Sequence, residues 1–263
     1  MNDRTSTIEQ PEYRRYIALG DSFTEGLNDE VGLDGRYQGW ADRVAATLNR
    51  HNPGLLYANL AIRGRLMGQV LQEQVPAAVA QNPDLVTLAA GVNDALRREY
   101  DLATVSEQLR QSVSALTDSG ATVVVFAFGD PSRRSDLMGR VAGRLKEYNA
   151  ATKEIAADHG ARVVDFWGAA VFDDDALWSS DRLHLSPLGH ELAARAALEA
   201  MGYNDDSWRS PASSTPPHHP LLRAGGHAAW AASHLTPWLL RRARGVSSGD
   251  GIEAKRPLLA PVD

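Results

Sequence analysis

Acyl transfer needs a hydroxyl nucleophile, a base to take its proton, a group to orient that base, and donors for a developing oxyanion. Four short segments of the chain carry residues of those types. GDSFTEG follows the apolar run YIALG (16–20) and places Ser22 two residues beyond Gly20. NLAIRGR contains Gly64, whose lack of a side chain lets a backbone N–H approach a ligand closely. GVND (91–94) contains Asn93, a side-chain amide donor. SSDRLHLSPLGH holds Asp181 and His184, spaced so that a carboxylate can accept from the imidazole and fix its tautomer. Each segment also has an ordinary explanation when taken alone. Asp21 and Ser22 suit a turn, Gly64 suits any loop, Asn93 suits a helix cap, and Asp181 with His184 suits an exposed loop. His190 competes for the role of base, but it falls inside a helical pattern and reads as structural or partly exposed.

The elements that must bring these residues together are legible between residues 16 and about 201. Short β-rich runs are YIALG, LLYANLAI (55–62), LVTLAAG (85–91), TVVVFAF (122–128) and RVVDFW (162–167). Most are nearly continuous in apolar residues, as strands buried on both faces are. Helical periodicity separates them. Trp40, Val44 and Leu48 share one face, as do Leu102, Val105, Leu109, Val113 and Leu116. A third face joins Leu137, Val141, Leu145, Tyr148, Thr152 and Ile155. A last helix starts at SPLGHELAARAALEAM, with Ser186 as N-cap and Pro187 at the first helical position. Alternating strands and helices predict a parallel sheet of about five strands covered on both faces, with the ligand crevice beyond the strands' carboxyl ends.

Composition narrows the classes. The chain of 263 residues has no cysteine, which excludes disulfides, thiolate catalysis and zinc-thiolate sites. A net charge of -6 argues against nucleic-acid binding. No signal peptide and no spanning run are visible, so a cytoplasmic location is expected. Beyond Gly202 the character changes, so the expected organisation is a catalytic domain over 1–202 and an extension over 203–263. SWRSPASSTPPHHP reads as a linker. HAAWAASHLTPWLLRRARG reads as an amphipathic piece, interrupted at Pro237. It sets Trp230, Leu235, Trp238, Leu239 and Leu240 beside Arg241, Arg242 and Arg244, a pattern suited to peripheral membrane contact or to packing on a protein surface. The final SSGDGIEAKRPLLAPVD reads as irregular.

The four segments, in this order, resemble the SGNH hydrolase superfamily, the GDSL esterases and lipases. Phe23 stands where the family motif has leucine. The resemblance spans residues 16 to about 201 and leaves the extension unexplained. It implies a three-layer α/β/α, flavodoxin-like fold with Ser22 as nucleophile, His184 as base and Asp181 as the residue that orients it. It also implies an oxyanion hole made by the N–H groups of Ser22 and Gly64 and the Asn93 amide. No cofactor or metal is expected, and the partner is a small-molecule ester. The serine lies outside a G-x-S-x-G elbow and Asp181 sits just before His184, which argues against the ordinary α/β-hydrolase arrangement.

Hydrolysis of a small or lipid-like acyl ester through an acyl-enzyme is the leading expectation. Carbohydrate deacetylation and thioester hydrolysis are alternatives on the same fold. A nucleotide- or flavin-binding module is a different class, but the chain lacks G-x-x-x-x-G-K-[ST] and has no clear G-x-G-x-x-G. An inactive scaffold is the remaining class. A neutral imidazole is required, so turnover is expected to fall on acidification. NDEVGLDGRYQGW (28–40) reads as a rim over the crevice or as a plain loop. Arg133 and Arg134 follow the fourth strand and are candidates for an anionic substrate group or for solvated charge. Trp178 is a candidate neighbour of the histidine loop or a purely structural residue.

Overall fold

The computed structural model describes residues 11–133, 139–203, 205–210 and 248–262. The proposed amphipathic piece, Arg134 and Leu137 lie outside the described residues.

Apolar runs bury themselves as the central strands. β1 (Arg15–Gly20), β3 (Leu85–Ala89) and β4 (Thr122–Ala127) are buried along almost their whole length. β2 (Leu56–Asn59) and β5 (Arg162–Asp165) flank them. These five are parallel, and the complete order is β5-β4-β3-β1-β2-β6. Chain order reverses between β1 and β3, the place where open α/β sheets hold ligands. Helices cover both faces. One-turn α1 (Ser22–Glu25) leaves β1 directly, and α2 (Gly39–His51) follows it. A helix built from α3 (Met67–Gln69), a π-turn (Val70–Gln74) and α4 (Val75–Val79) leads to β3. Then come α5 (Val92–Ala95), α6 (Leu102–Asp118), α7 (Gly139–His159) and α8 (Pro187–Ala200). α2 packs with α8, and α6 packs with α7.

The helical faces expected from periodicity are the buried ones. Trp40, Val44 and Leu48 are buried on α2, and Val105, Leu109, Val113 and Leu116 on α6. Ser186 caps α8, its hydroxyl accepting from the Gly189 N–H at 3.2 Å. Phe126 anchors an aromatic cluster between sheet and helices, with Trp40 at 4.8 Å and Phe23 at 5.6 Å between ring centroids.

One expectation is overturned. The end of the chain is not irregular: Arg256–Pro261 forms β6, antiparallel to β2, and raises the sheet to six strands. Pro257 and Pro261 hide the strand from a propensity reading because neither can donate to a ladder. An edge strand tolerates them. Just before β6, Lys255 turns inward. It is 9% exposed and pairs with Asp42 of α2. Burial drives the Asp42 carboxyl up to about 6 even though Lys255 pulls it down. Breaking one side of such a buried pair costs about 3–5 kcal/mol.

Candidate active site

Ser22, Gly64 and Asn93 leave the carboxyl ends of β1, β2 and β3, and the loop before α8 brings Asp181 and His184 to them. Ser22 opens α1, with Asp21 as N-cap accepting from the Phe23 N–H at 3.0 Å. Ser22 Oγ lies 2.9 Å from His184 Nε2, and His184 Nδ1 lies 2.7 Å from Asp181 Oδ2. With Nδ1–H given to the carboxylate, the lone pair on Nε2 faces the serine hydroxyl and can accept its proton. Burial pushes the Asp181 carboxyl up. The His184 ring and backbone N–H and the Ser179 hydroxyl together outweigh it and hold Asp181 below the usual carboxylate range.

The donor side is equally defined. Gly64 has φ +76°, a conformation that side chains resist, so glycine suits this loop. Among the described residues, neither the Ser22 nor the Gly64 N–H has a protein acceptor. Asn93 differs: its Nδ2 donates to Asp21 Oδ2 at 2.9 Å and to the Arg65 carbonyl at 3.1 Å. Both amide hydrogens of Asn93 are thus already engaged. Asp21 itself is buried, which raises its carboxyl to about 7 against the pull of the Phe23 N–H and His184. Gly91, which starts α5 and so aims Asn93, has φ +107°. A Cβ there would stand 2.4 Å from the Tyr148 ring.

A family model described as GDSL-like lipase/acylhydrolase matches residues 18–192, two thirds of the chain. The chain belongs to that family. This GDSL hydrolase is a carboxylic ester hydrolase, and its relatives carry esterase names. It is 24% identical over 212 residues to an acetylxylan esterase of Geobacillus stearothermophilus, covering 72% of this chain and 94% of that one. It is 28% identical over 202 residues to an isoamyl acetate-hydrolyzing esterase 1 homolog of Rattus norvegicus, covering 68% and 77%. A crystal structure of the Geobacillus acetylxylan esterase superposes with a TM-score of 0.61 at 21% identity, over 74% of this chain and 95% of the other. That likeness supports the fold.

Other residues expected near the GDSL hydrolase's crevice take structural places. His190 is buried. Its Nδ1 accepts from the Trp40 N–H and its Nε2–H faces the Leu27 carbonyl, each at 3.3 Å. Burial lowers its pKa, so the ring stays neutral. Arg133 is paired with Asp173 at 3.0 Å. Trp178 does flank the histidine loop, bridging to Leu185 and donating from Nε1 to the Phe172 carbonyl at 2.9 Å.

Two polar residues missed by the motif reading hold the segments that carry Ser22 and Asp181. Gln74, buried in the π-turn, grips the peptide of Gly20: its Oε1 accepts from Gly20 N at 2.8 Å and its Nε2 donates to Gly20 O at 2.9 Å. Asn28 ties the rim segment to the histidine loop, donating to Asp181 Oδ2 at 2.8 Å and Ser179 Oγ at 2.9 Å. The rim is pinned further along as well, where Asp29 takes the Gly39 N–H and Arg43. The only sequence signal for Asn28 was its place after the nucleophile turn. Its backbone, at φ +71°, suits asparagine or glycine. Asn28→Gly therefore removes only the side chain. It is expected to lower kcat about tenfold at unchanged KM, the equivalent of one charge-assisted hydrogen bond. Steady-state kinetics beside a thermal melt check this.

Proposed function

We propose that this esterase works through an acyl-enzyme formed on Ser22. His184 takes the proton from Ser22 Oγ as that oxygen attacks the ester carbonyl, and Asp181 holds the ring and balances its charge. The negative oxygen of the tetrahedral intermediate accepts from the N–H groups of Ser22 and Gly64 and from the Asn93 amide. His184 then protonates the departing alcohol. Water, deprotonated by the same ring, attacks the acyl carbonyl; the bond to Ser22 Oγ breaks, the acid leaves, and His184 returns the proton to Ser22. The observation that carries this reading is the unbroken hydrogen-bonded row Ser22–His184–Asp181 beside two N–H groups with no acceptor among the described residues.

For substrate, we favour esters with a small acyl group, acetyl first. Support comes from the relatives named for acetylxylan and for isoamyl acetate. A lipid-like ester is the second reading, favoured by exposed Val31 and Leu33 on the rim segment that Asn28 ties to the site. A panel decides between them: aryl esters of increasing acyl length, an acetylated xylo-oligosaccharide and an acyl thioester. The first reading expects kcat/KM to peak at acetyl or propionyl. A peak at eight carbons or longer favours the lipid-like substrate, and a thioester preferred over its oxygen analogue would displace both.

A further inference from the structure

We propose that Ser248–Arg256 is a strap that holds the nucleophile turn and the oxyanion loop in register, with Lys255 as its positioning residue. The proposal rests on the roles given above to Ser22 and Gly64. The strap lies past the family match, which ends at residue 192.

Lys255 Nζ donates to the carbonyls of Glu25 at 2.7 Å, Tyr37 at 2.9 Å and Gln38 at 2.9 Å, and it pairs with Asp42. Glu25 is the last residue of α1, the turn that Ser22 opens. Its carboxylate in turn accepts from Arg63 N at 2.8 Å and Arg63 Nε at 3.0 Å. Arg63 immediately precedes Gly64. The strap touches this same loop directly: a Cβ on Gly249 would stand 2.1 Å from the Arg63 carbonyl oxygen and 3.0 Å from Ile62 Cγ2. Strap, nucleophile turn and oxyanion loop thus form a closed ring of contacts. Arg36 Nη1, on the rim segment, closes over the outside by donating to the Lys255 carbonyl at 2.6 Å.

The placement matters because the serine hydroxyl and the two N–H groups must meet one carbonyl. A displacement of 1 Å at such a site costs on the order of 100-fold in rate. A lysine whose ammonium fills three carbonyl sockets and meets a carboxylate fixes α1 from below without touching substrate.

Three full-length variants test this: Lys255→Met, Lys255→Met with Asp42→Asn, and Gly249→Ala. The double variant removes the carboxylate that would otherwise be left buried and alone. Each is measured for kcat and KM on an aryl acetate, for its fluorophosphonate labelling rate, and for melting temperature, with assays well below each melt. Loss of the strap's hold is expected to lower kcat and labelling rate about 10- to 100-fold in all three, with KM within about threefold. Leu258→Ala, exposed on β6, should leave both unchanged. A folded double variant or Gly249→Ala protein with kcat within about twofold of wild type overturns the proposal. Should the Lys255 variants fail to fold, Gly249→Ala decides alone. Ser22→Ala runs beside them: retained turnover there defeats the acyl-enzyme reading, whereas its loss alongside full activity in the strap variants defeats the strap only.

Discussion

Ser22→Ala is expected to lower kcat on an aryl acetate by about 10⁴-fold or more and to abolish covalent labelling by a fluorophosphonate. The expectation follows from the row of contacts. The hydroxyl is the group within 2.9 Å of His184 Nε2, so its removal leaves the base with nothing to deprotonate but water. The donors around the oxyanion remain, and such residual sites still accelerate ester hydrolysis by about 10³–10⁴ over water. Activity should therefore collapse without reaching the uncatalysed rate. Intact-mass measurement of the labelled protein, with the adduct mapped to the peptide bearing Ser22, checks the chemistry independently of rate. Full turnover in the alanine variant would end the assignment.

Asp181→Asn should cost nearly as much, about 10³–10⁴-fold in kcat. The asparagine would occupy the same space, but its amide can present a donor to Nδ1. The imidazole would then carry its proton on Nε2 and point it at Ser22, the wrong tautomer for accepting one. The carboxylate is already saturated, with Ser179 Oγ at 2.7 Å, Leu183 N at 2.9 Å and His184 N at 3.0 Å on Oδ1. Those donors keep Asp181 ionised well into acid. Asp181 is therefore not expected to take a proton in the acid limb of wild-type kcat/KM. Comparing Asp181→Asn with Asn28→Gly separates loss of the charge from loss of its support.

Much of the architecture could be read before any coordinates. Continuous apolar runs gave away β1, β3 and β4 because both faces of those strands are covered, so burial left no alternation to misread. Ser22, Gly64, Asn93, Asp181 and His184 could be brought together as candidates because their four segments follow one another in the order of the family's blocks, although each alone has an ordinary explanation. What escaped has physical reasons. β6 carries two prolines on an exposed edge, so neither propensity nor burial marked it. Gln74 and Lys255 act through long, flexible side chains whose partners are mostly backbone groups distant in sequence, and backbone groups carry no residue signature. Asn28 looked like loop chemistry because a left-handed backbone and a reach across to Asp181 leave no periodic trace.

The π-turn that carries Gln74 has a consequence for length variation. A π-turn holds one residue more than an α-turn spanning the same hydrogen bond. Deleting a single residue from Met67–Gln69 while the π-turn persists would swing the glutamine by about 100° around the axis. Its amide would then leave the Gly20 backbone ungripped, two residues before Ser22. Insertions and deletions in this helix are thus coupled to chemistry at the far end of β1, although the helix contributes no reacting atom.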